Sequence, residues 1–224
     1  MSEEAKQELE FSRKYDREHA ERYFYKHQRG IGRRVSNWRE NAMARKALAL
    51  AGNPQSVLDL PSGTGRFWEL LCENPNRKIV AADNSEDMID TGLRLRPPEI
   101  SSRIDGFSCS AFKIPKPDNF VESVFCMRLI HHIGEREDRI NMFREFARVA
   151  TDTVLVSLWV DGNYKAMRRR SHECKRARHK YQNRFLITRQ DIESDFEQAG
   201  LTVTGYVDFL KFYSMWRVYV CKVK

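Results

Sequence analysis

Residues 57–65 read Val-Leu-Asp-Leu-Pro-Ser-Gly-Thr-Gly, an apolar run that ends in an acid and breaks into a Gly-x-Gly turn. Such a run reads as a buried parallel strand handing over to a helix at a nucleotide-type cofactor site. Glycine suits the turn because a side chain there would block close approach of the backbone to a ligand. Gly-x-Gly also occurs by chance in loops, so the residues that follow decide which cofactor is meant.

The rest of the chain alternates in the way that first strand demands. Strands are expected at Ser56–Leu60, Lys78–Ala82, Ile104–Cys109, Val121–Met127 and Thr153–Trp159, with helices at Gly65–Asn74, Glu86–Leu95 and Glu137–Val149. A helix at Thr188–Ala199 then precedes two adjacent strands, Leu201–Phe209 and Tyr213–Val223. Short apolar strands separated by helices imply a parallel sheet covered on both faces. The last two strands are joined by only a few residues and must pair antiparallel. The expected architecture is α/β: a doubly wound, Rossmann-like, seven-stranded sheet, mostly parallel, with a C-terminal antiparallel hairpin. Upstream, residues about 5–28 are helix-prone with a partial apolar stripe of Leu9, Phe11, Tyr15, Tyr23 and Phe24, and a second helix spans about 37–51.

At 224 residues the chain fits a single domain with solvated helical extensions. No apolar run approaches membrane-spanning length, and Met1-Ser2-Glu3-Glu4-Ala5-Lys6 is too polar for a secretory leader. Five cysteines without Cys-x-x-Cys spacing read as reduced thiols, so a cytoplasmic protein is expected, and no metal ligand set is assigned. The net charge of +8 is concentrated. Between Asn163 and Phe185 nine Lys or Arg face one acid, Glu173, while the remaining chain is balanced. Such a basic arm can meet an acidic substrate, anionic lipid or nucleic acid, or can be a solvated helix.

Open α/β sheets bind ligands beyond the carboxyl ends of their strands. The second strand ends in Asp83, eighteen residues after Gly65, where a carboxylate can accept hydrogen bonds from both hydroxyls of a ribose. A nicotinamide fingerprint requires a third glycine where Trp68 stands, and the Gly-Lys-Ser/Thr of a P-loop is absent. NAD and ATP are therefore disfavoured.

Four segments, in order and spacing, resemble the class I S-adenosylmethionine-dependent methyltransferases. Val57–Gly65 is similar to the family's first motif, and Ala82-Asp83-Asn84-Ser85-Glu86-Asp87-Met88 to its second. Ser110-Ala111-Phe112-Lys113-Ile114-Pro115 stands where the adenine-binding turn falls, and Asn119–Ile133 resembles the fourth-strand motif. The resemblance covers roughly Ser56 to Val160. It implies S-adenosyl-L-methionine as cofactor, held by Asp59, Pro61, Ser62, Gly63, Thr64, Gly65, Asp83, Asn84, Met88, Ser110, Ala111, Phe112 and Met127. Pro61 replaces the first glycine of the motif, and Ser110 replaces an acid that commonly contacts adenine.

The resemblance also implies methyl transfer to an O or N atom of a small-molecule or lipid-linked acceptor, which an anionic group would suit. His131, His132 and Arg128 follow the fourth strand, where the family places substrate-side residues. The alternatives are nucleic-acid methylation through the basic arm and cofactor binding without catalysis. Against the former, no Asn/Asp-Pro-Pro-aromatic motif follows the fourth strand. The resulting organisation is an N-terminal helical lid (1–52), a cofactor-binding core (53–162), a basic helical insertion as substrate cap (163–186), and a C-terminal helix and hairpin (187–224).

Overall fold

The structure is a computed structural model that describes residues 17–26, 30–173 and 184–224. Leu9, Phe11, Tyr15, His27, Cys174 and the middle of the basic arm lie outside the described residues.

Seven strands form one sheet: β1 (Ser56–Asp59), β2 (Lys78–Asp83), β3 (Ile104–Ser108), β4 (Val121–Cys126), β5 (Ala150–Trp159), β6 (Leu201–Asp208) and β7 (Trp216–Val223). Their order is β3-β2-β1-β4-β5-β7-β6, with β1 to β5 parallel and β7 antiparallel to both β5 and β6. The order reverses between β1 and β4, which opens a crevice at the carboxyl ends of these two strands. Asp59, the last residue of β1, stands level with Ala81 of β2 and Phe125 of β4.

Successive side chains of a strand point to opposite faces, and both faces here are apolar. Leu58, Val80, Val124 and Val154 pack with α6 (Arg136–Val149) and α8 (Arg189–Gln198) on one side. Val57, Ile79, Phe125 and Leu155 pack with α2 (Ile31–Leu50) and α3 (Trp68–Leu71) on the other. Ala81 meets Trp68 and Ile89 of α4 (Glu86–Leu95). Asp195 of α8 is fully buried and accepts from Arg136 and Arg139, tying α8 to α6. Among the described residues Cys126 and Cys221 are buried free thiols, while Cys72 and Cys109 are half-buried.

Several boundaries differ from expectation. The helix expected over Gly65–Asn74 is only the single turn α3, because Gly65 adopts φ +71 and the chain does not enter helical geometry until after Phe67. α2 begins at Ile31 rather than near 37, since Gly30 at φ +87 turns the chain directly into the helix and Gly32 is absorbed within it. A short α5 (Pro98–Ser101) was not expected; proline at a first helical position carries a preset φ and lacks an N–H that would go unused. Within the basic segment, α7 spans Tyr164–Glu173. Upstream, α1 (Arg17–Lys26) packs along α4, where Arg94 pairs with Glu21 and the Arg96 guanidinium stacks over Phe24 at 4.9 Å. No helix among the described residues is long and apolar enough to cross a membrane.

Candidate active site

The turn after β1 is latched to the end of β2. Asp83 accepts from the Gly63 N–H through Oδ2 at 2.9 Å and from the Ser85 N–H through Oδ1 at 3.1 Å. Ser62 N donates to the Ala82 carbonyl at 2.9 Å, so the turn is clamped from two sides. Gly63 (φ +55) and Gly65 (φ +71) occupy the left-handed region that favours glycine. A Cβ on Gly65 would also fall 2.3 Å from the Trp68 ring, so that position excludes any side chain. Above Gly63, Met88 Cε and Tyr23 Cε1 would stand 3.5 and 3.8 Å from a Cβ, so α4 and α1 wall the turn from outside. Asn84 is exposed beside it, whereas Ser62 and Thr64 are buried with their side chains turned into the fold. The Leu60–Pro61 peptide is cis.

Beneath the turn lies Asp59, fully buried, and neither carboxylate oxygen has a hydrogen-bond partner among the described residues. Burial first, and the charge of Asp83 second, hold its carboxyl well above the usual carboxylate range. The Trp68 indole N–H faces it without reaching hydrogen-bonding geometry and offsets only the smallest part of this shift. Asp83 is itself raised by burial, opposed by its backbone hydrogen bonds. Two acids converge on one small volume, and a ligand with a positive centre is the natural complement to them.

Asp59 gives a pH prediction. Its protonated form is favoured by folding, so its contribution is fully present below the unfolded value, near about pH 4, and is lost as pH rises through the raised folded value. Urea denaturation of the ligand-free protein should therefore show Asp59→Asn gaining on the wild type as pH rises, by up to about 1.4 kcal/mol per pH unit. Parallel curves would mean that Asp59 is charged and compensated in the fold.

The Ser110–Phe112 turn follows β3 next to Asp83, whose carbonyl accepts from Cys109 N at 2.9 Å. Ser110 Oγ accepts from Phe112 N at 3.2 Å, and Glu145 of α6 accepts from Ile114 N at 2.7 Å. The serine hydroxyl that stands in place of an acid thus shapes its own turn. Ala111 and Phe112 are half-buried there. Met127, by contrast, is buried in the core beneath α2.

Beyond β4, Arg128 sits at φ +69 with its N–H donating to Ser157 Oγ of β5 at 2.7 Å. The partner of its guanidinium is Glu40 of α2 rather than Glu122 or Glu145. Arg128 Nη1 reaches both Glu40 oxygens, at 2.9 and 3.0 Å, and Arg66 Nη2 reaches Oε2 at 3.0 Å. Glu122 instead accepts from Gln55 N, and Glu145 serves Arg148 and Ile114. The same Arg128 guanidinium lies 5.1 Å from the Trp216 ring centre. Glu40 and Arg66 were not singled out from the sequence. The available signals were that Glu40 is the sole acid of α2 and that Arg66 directly follows the Gly-x-Gly turn.

His131 and His132 close a 3₁₀ turn, Ile130–His132, beside Arg128. His131 is buried, stacked on Trp159 at 4.9 Å and edge-on to Trp216 at 4.9 Å, and its Nδ1 has no partner among the described residues. Burial, then the neighbouring His132, Arg128, Arg184 and Arg169, pull its pKa down to about 2, so the imidazole is neutral. His132 is half-buried. The described ends of the basic segment turn inward: Arg169 and Arg184 lie 4.9 and 5.7 Å from the Trp159 ring centre, and Arg170 pairs with Asp161 at 3.3 Å. Trp216 completes this aromatic wall. No group of three or more metal-ligating side chains occurs among the described residues.

Fold and latched turn together define a protein built to hold an adenosine-type cofactor at the carboxyl ends of a doubly wound sheet. Residues 57–153 match a family model described as a methyltransferase domain. This segment is thus similar to methyltransferase domains, and the sheet as a whole has the fold of methyltransferases solved with S-adenosylmethionine or its product. An uncharacterized methyltransferase-like protein of Schizosaccharomyces pombe is 30% identical over 88 residues, 39% of this chain. The matched region is 32% of that curated relative's length, about a third. Magnesium protoporphyrin IX methyltransferase from Synechocystis, solved with bound SAH, superposes with a TM-score of 0.68 at 13% identity, covering 88% of this chain and 89% of that one. Geranyl diphosphate C-methyltransferase from Streptomyces coelicolor, solved with Mg2+, geranyl diphosphate and S-adenosyl-L-homocysteine, gives 0.61 at 12% identity, covering 83% and 79%. At these identities the likeness is one of fold.

Proposed function

We propose that the chain transfers the methyl group of S-adenosyl-L-methionine to an oxygen or nitrogen atom of a small-molecule or lipid-linked acceptor. The observation that carries the reading is the Asp83–Gly63 latch beside the buried, unpartnered Asp59. The residues fit the cofactor: Asp83 retains acceptor capacity for ribose hydroxyls, the glycine turn admits close backbone approach, and the acid pair complements positive charge. Bound there, the cofactor supplies a methyl group already activated by its sulfonium.

The protein's own residues then have to align the acceptor and exclude water. Tyr23 of α1, over Gly63, suits a lid. Arg128, held by Glu40 and Trp216, is positioned to orient an anionic group of the acceptor. The neutral His131 is too weak a base to take a proton near neutral pH, and it serves as part of the aromatic wall. Where the acceptor must lose a proton, His132 at the same turn is the candidate to receive it. Neighbours of this fold act on magnesium protoporphyrin IX and on geranyl diphosphate, which supports a small-molecule acceptor over a macromolecular one. The approach of Arg169 and Arg184 to the Trp159 ring supports a cap over the acceptor rather than an arm displayed to nucleic acid.

Calorimetry with S-adenosyl-L-methionine and S-adenosyl-L-homocysteine should show stoichiometric binding of both. Transfer of labelled methyl from the cofactor should then appear in the small-molecule or lipid fraction of a cell extract. No binding at millimolar ligand overturns the cofactor assignment, and label confined to RNA overturns the acceptor class.

A further inference from the structure

From the outer face of α2, the β6–β7 loop and the start of α7, we infer a docking surface for a bilayer carrying anionic lipids. Ile31, Val35 and Trp38 recur at helical spacing along one stripe of α2, and Ile31 and Trp38 are 81% and 68% exposed. Further along the same stripe, Ala42 and Ala49 line a groove of about 560 Å³ between α2 and β6, with Tyr206, Lys46 and Lys211 on its walls. Arg39 donates to the Phe209 carbonyl at 2.6 Å and joins this helix to the β6–β7 loop. On that loop Phe212 is 74% exposed, and Leu210 and Tyr213 are exposed beside it. Tyr213 stacks on Tyr164 of α7, whose N–H donates to the Phe212 carbonyl, and exposed Met167 follows one turn later. The apolar residues therefore form one continuous face.

Charge selects its occupant. Exposed Arg34, Lys165, Arg168 and Lys211 are interspersed among these side chains, with Lys211 over the Phe212 ring and Lys165 over that of Tyr213. The acids nearby are already committed, Glu40 to Arg128 and Arg66, and Asp208 to Arg217. Large apolar and aromatic side chains mixed with cations favour the interface of an anionic membrane, where rings enter the headgroup boundary and Lys or Arg meet phosphate. A second copy of the chain would set like charge against like. The face also borders the acceptor side of the site: Glu40 shares α2 with Trp38, and Val160, just after β5, donates to the Met215 carbonyl of the same loop. Docking does not depend on methyl transfer; only the delivery of a lipid-held acceptor rests on the function proposed above.

Cosedimentation with vesicles of phosphatidylcholine, alone or mixed with an equal amount of phosphatidylglycerol, tests this. The full chain should sediment with the mixed vesicles only, and less so as salt rises toward about 1 M, where the Debye length falls to about 3 Å. Trp38→Ser combined with Phe212→Ser should weaken vesicle binding about tenfold or more while leaving S-adenosylmethionine affinity at the wild-type value, which shows that the variant is folded. Vesicle binding by a protein that fails to bind the cofactor would sustain the docking surface and sink the methyltransferase reading. Absence of sedimentation with mixed vesicles at low salt, equal binding by the double variant, or self-association that the double variant abolishes would each overturn the inference.

Discussion

Glu40→Ala is expected to destabilise the protein by about 3–5 kcal/mol, the cost of removing one partner from a buried ion pair. Glu40 is 7% exposed and is shared by two guanidiniums, Arg128 at 2.9 Å and Arg66 at 3.0 Å. Its removal leaves two cations facing one another in a region that burial has already made unfavourable for Arg66. Glu40→Gln keeps the shape and one acceptor oxygen but loses the charge, so an intermediate loss is expected. Urea denaturation of the three proteins measures both. The same substitutions free Arg128 from its place against Trp216, so acceptor use should fall more than cofactor affinity. A wild-type midpoint for Glu40→Ala would mean that water screens the cluster and that Arg128 is not held by it.

The cofactor half of the site was legible because it is local. Asp59, Gly63, Gly65 and Asp83 lie at strand ends whose positions follow from apolar runs, and the parallel sheet with its antiparallel hairpin follows from the connections, though the placing of β7 between β5 and β6 does not. The acceptor half is assembled from distant residues, which periodicity cannot bring together. Arg128 meets Glu40 from 88 positions away, and His131 meets Trp216 across the pairing of β5 with β7. The state of His131 was illegible for the same reason: adjacent histidines suggest proton transfer, but two indoles and three guanidiniums make this one neutral. Sequence placed a helix over Gly65–Asn74, where the left-handed geometry of Gly65 allows only the short turn Trp68–Leu71. Which face of α2 turns inward at Trp38 was likewise not legible, and burial shows that Trp38 stands outside.

Asp83→Ala is expected to raise the dissociation constant for S-adenosyl-L-methionine by about ten- to a hundredfold, the loss of about 1.5–3 kcal/mol in hydrogen bonds to a charged acceptor. Two effects combine in it. The carboxylate that would take the ribose hydroxyls disappears, and the Gly63 and Ser85 amides that it accepts from are released, loosening the turn over the cofactor. Asp83→Asn separates them: its carbonyl oxygen can keep one amide, but its NH2 meets the other donor, so it should bind weakly despite a nearly unchanged volume. Asp59 supplies an independent readout. Asp83 is the second cause of its raised pKa, so in Asp83→Ala the loss of stability attributed to Asp59 should still begin near the unfolded value but end at a lower pH, giving a smaller total loss than in the wild type. Calorimetry of both variants, with urea denaturation across pH, distinguishes the outcomes. An unchanged dissociation constant in Asp83→Ala would place the ribose elsewhere, and an unchanged total loss of stability across the pH range would show that the two carboxylates do not sense each other.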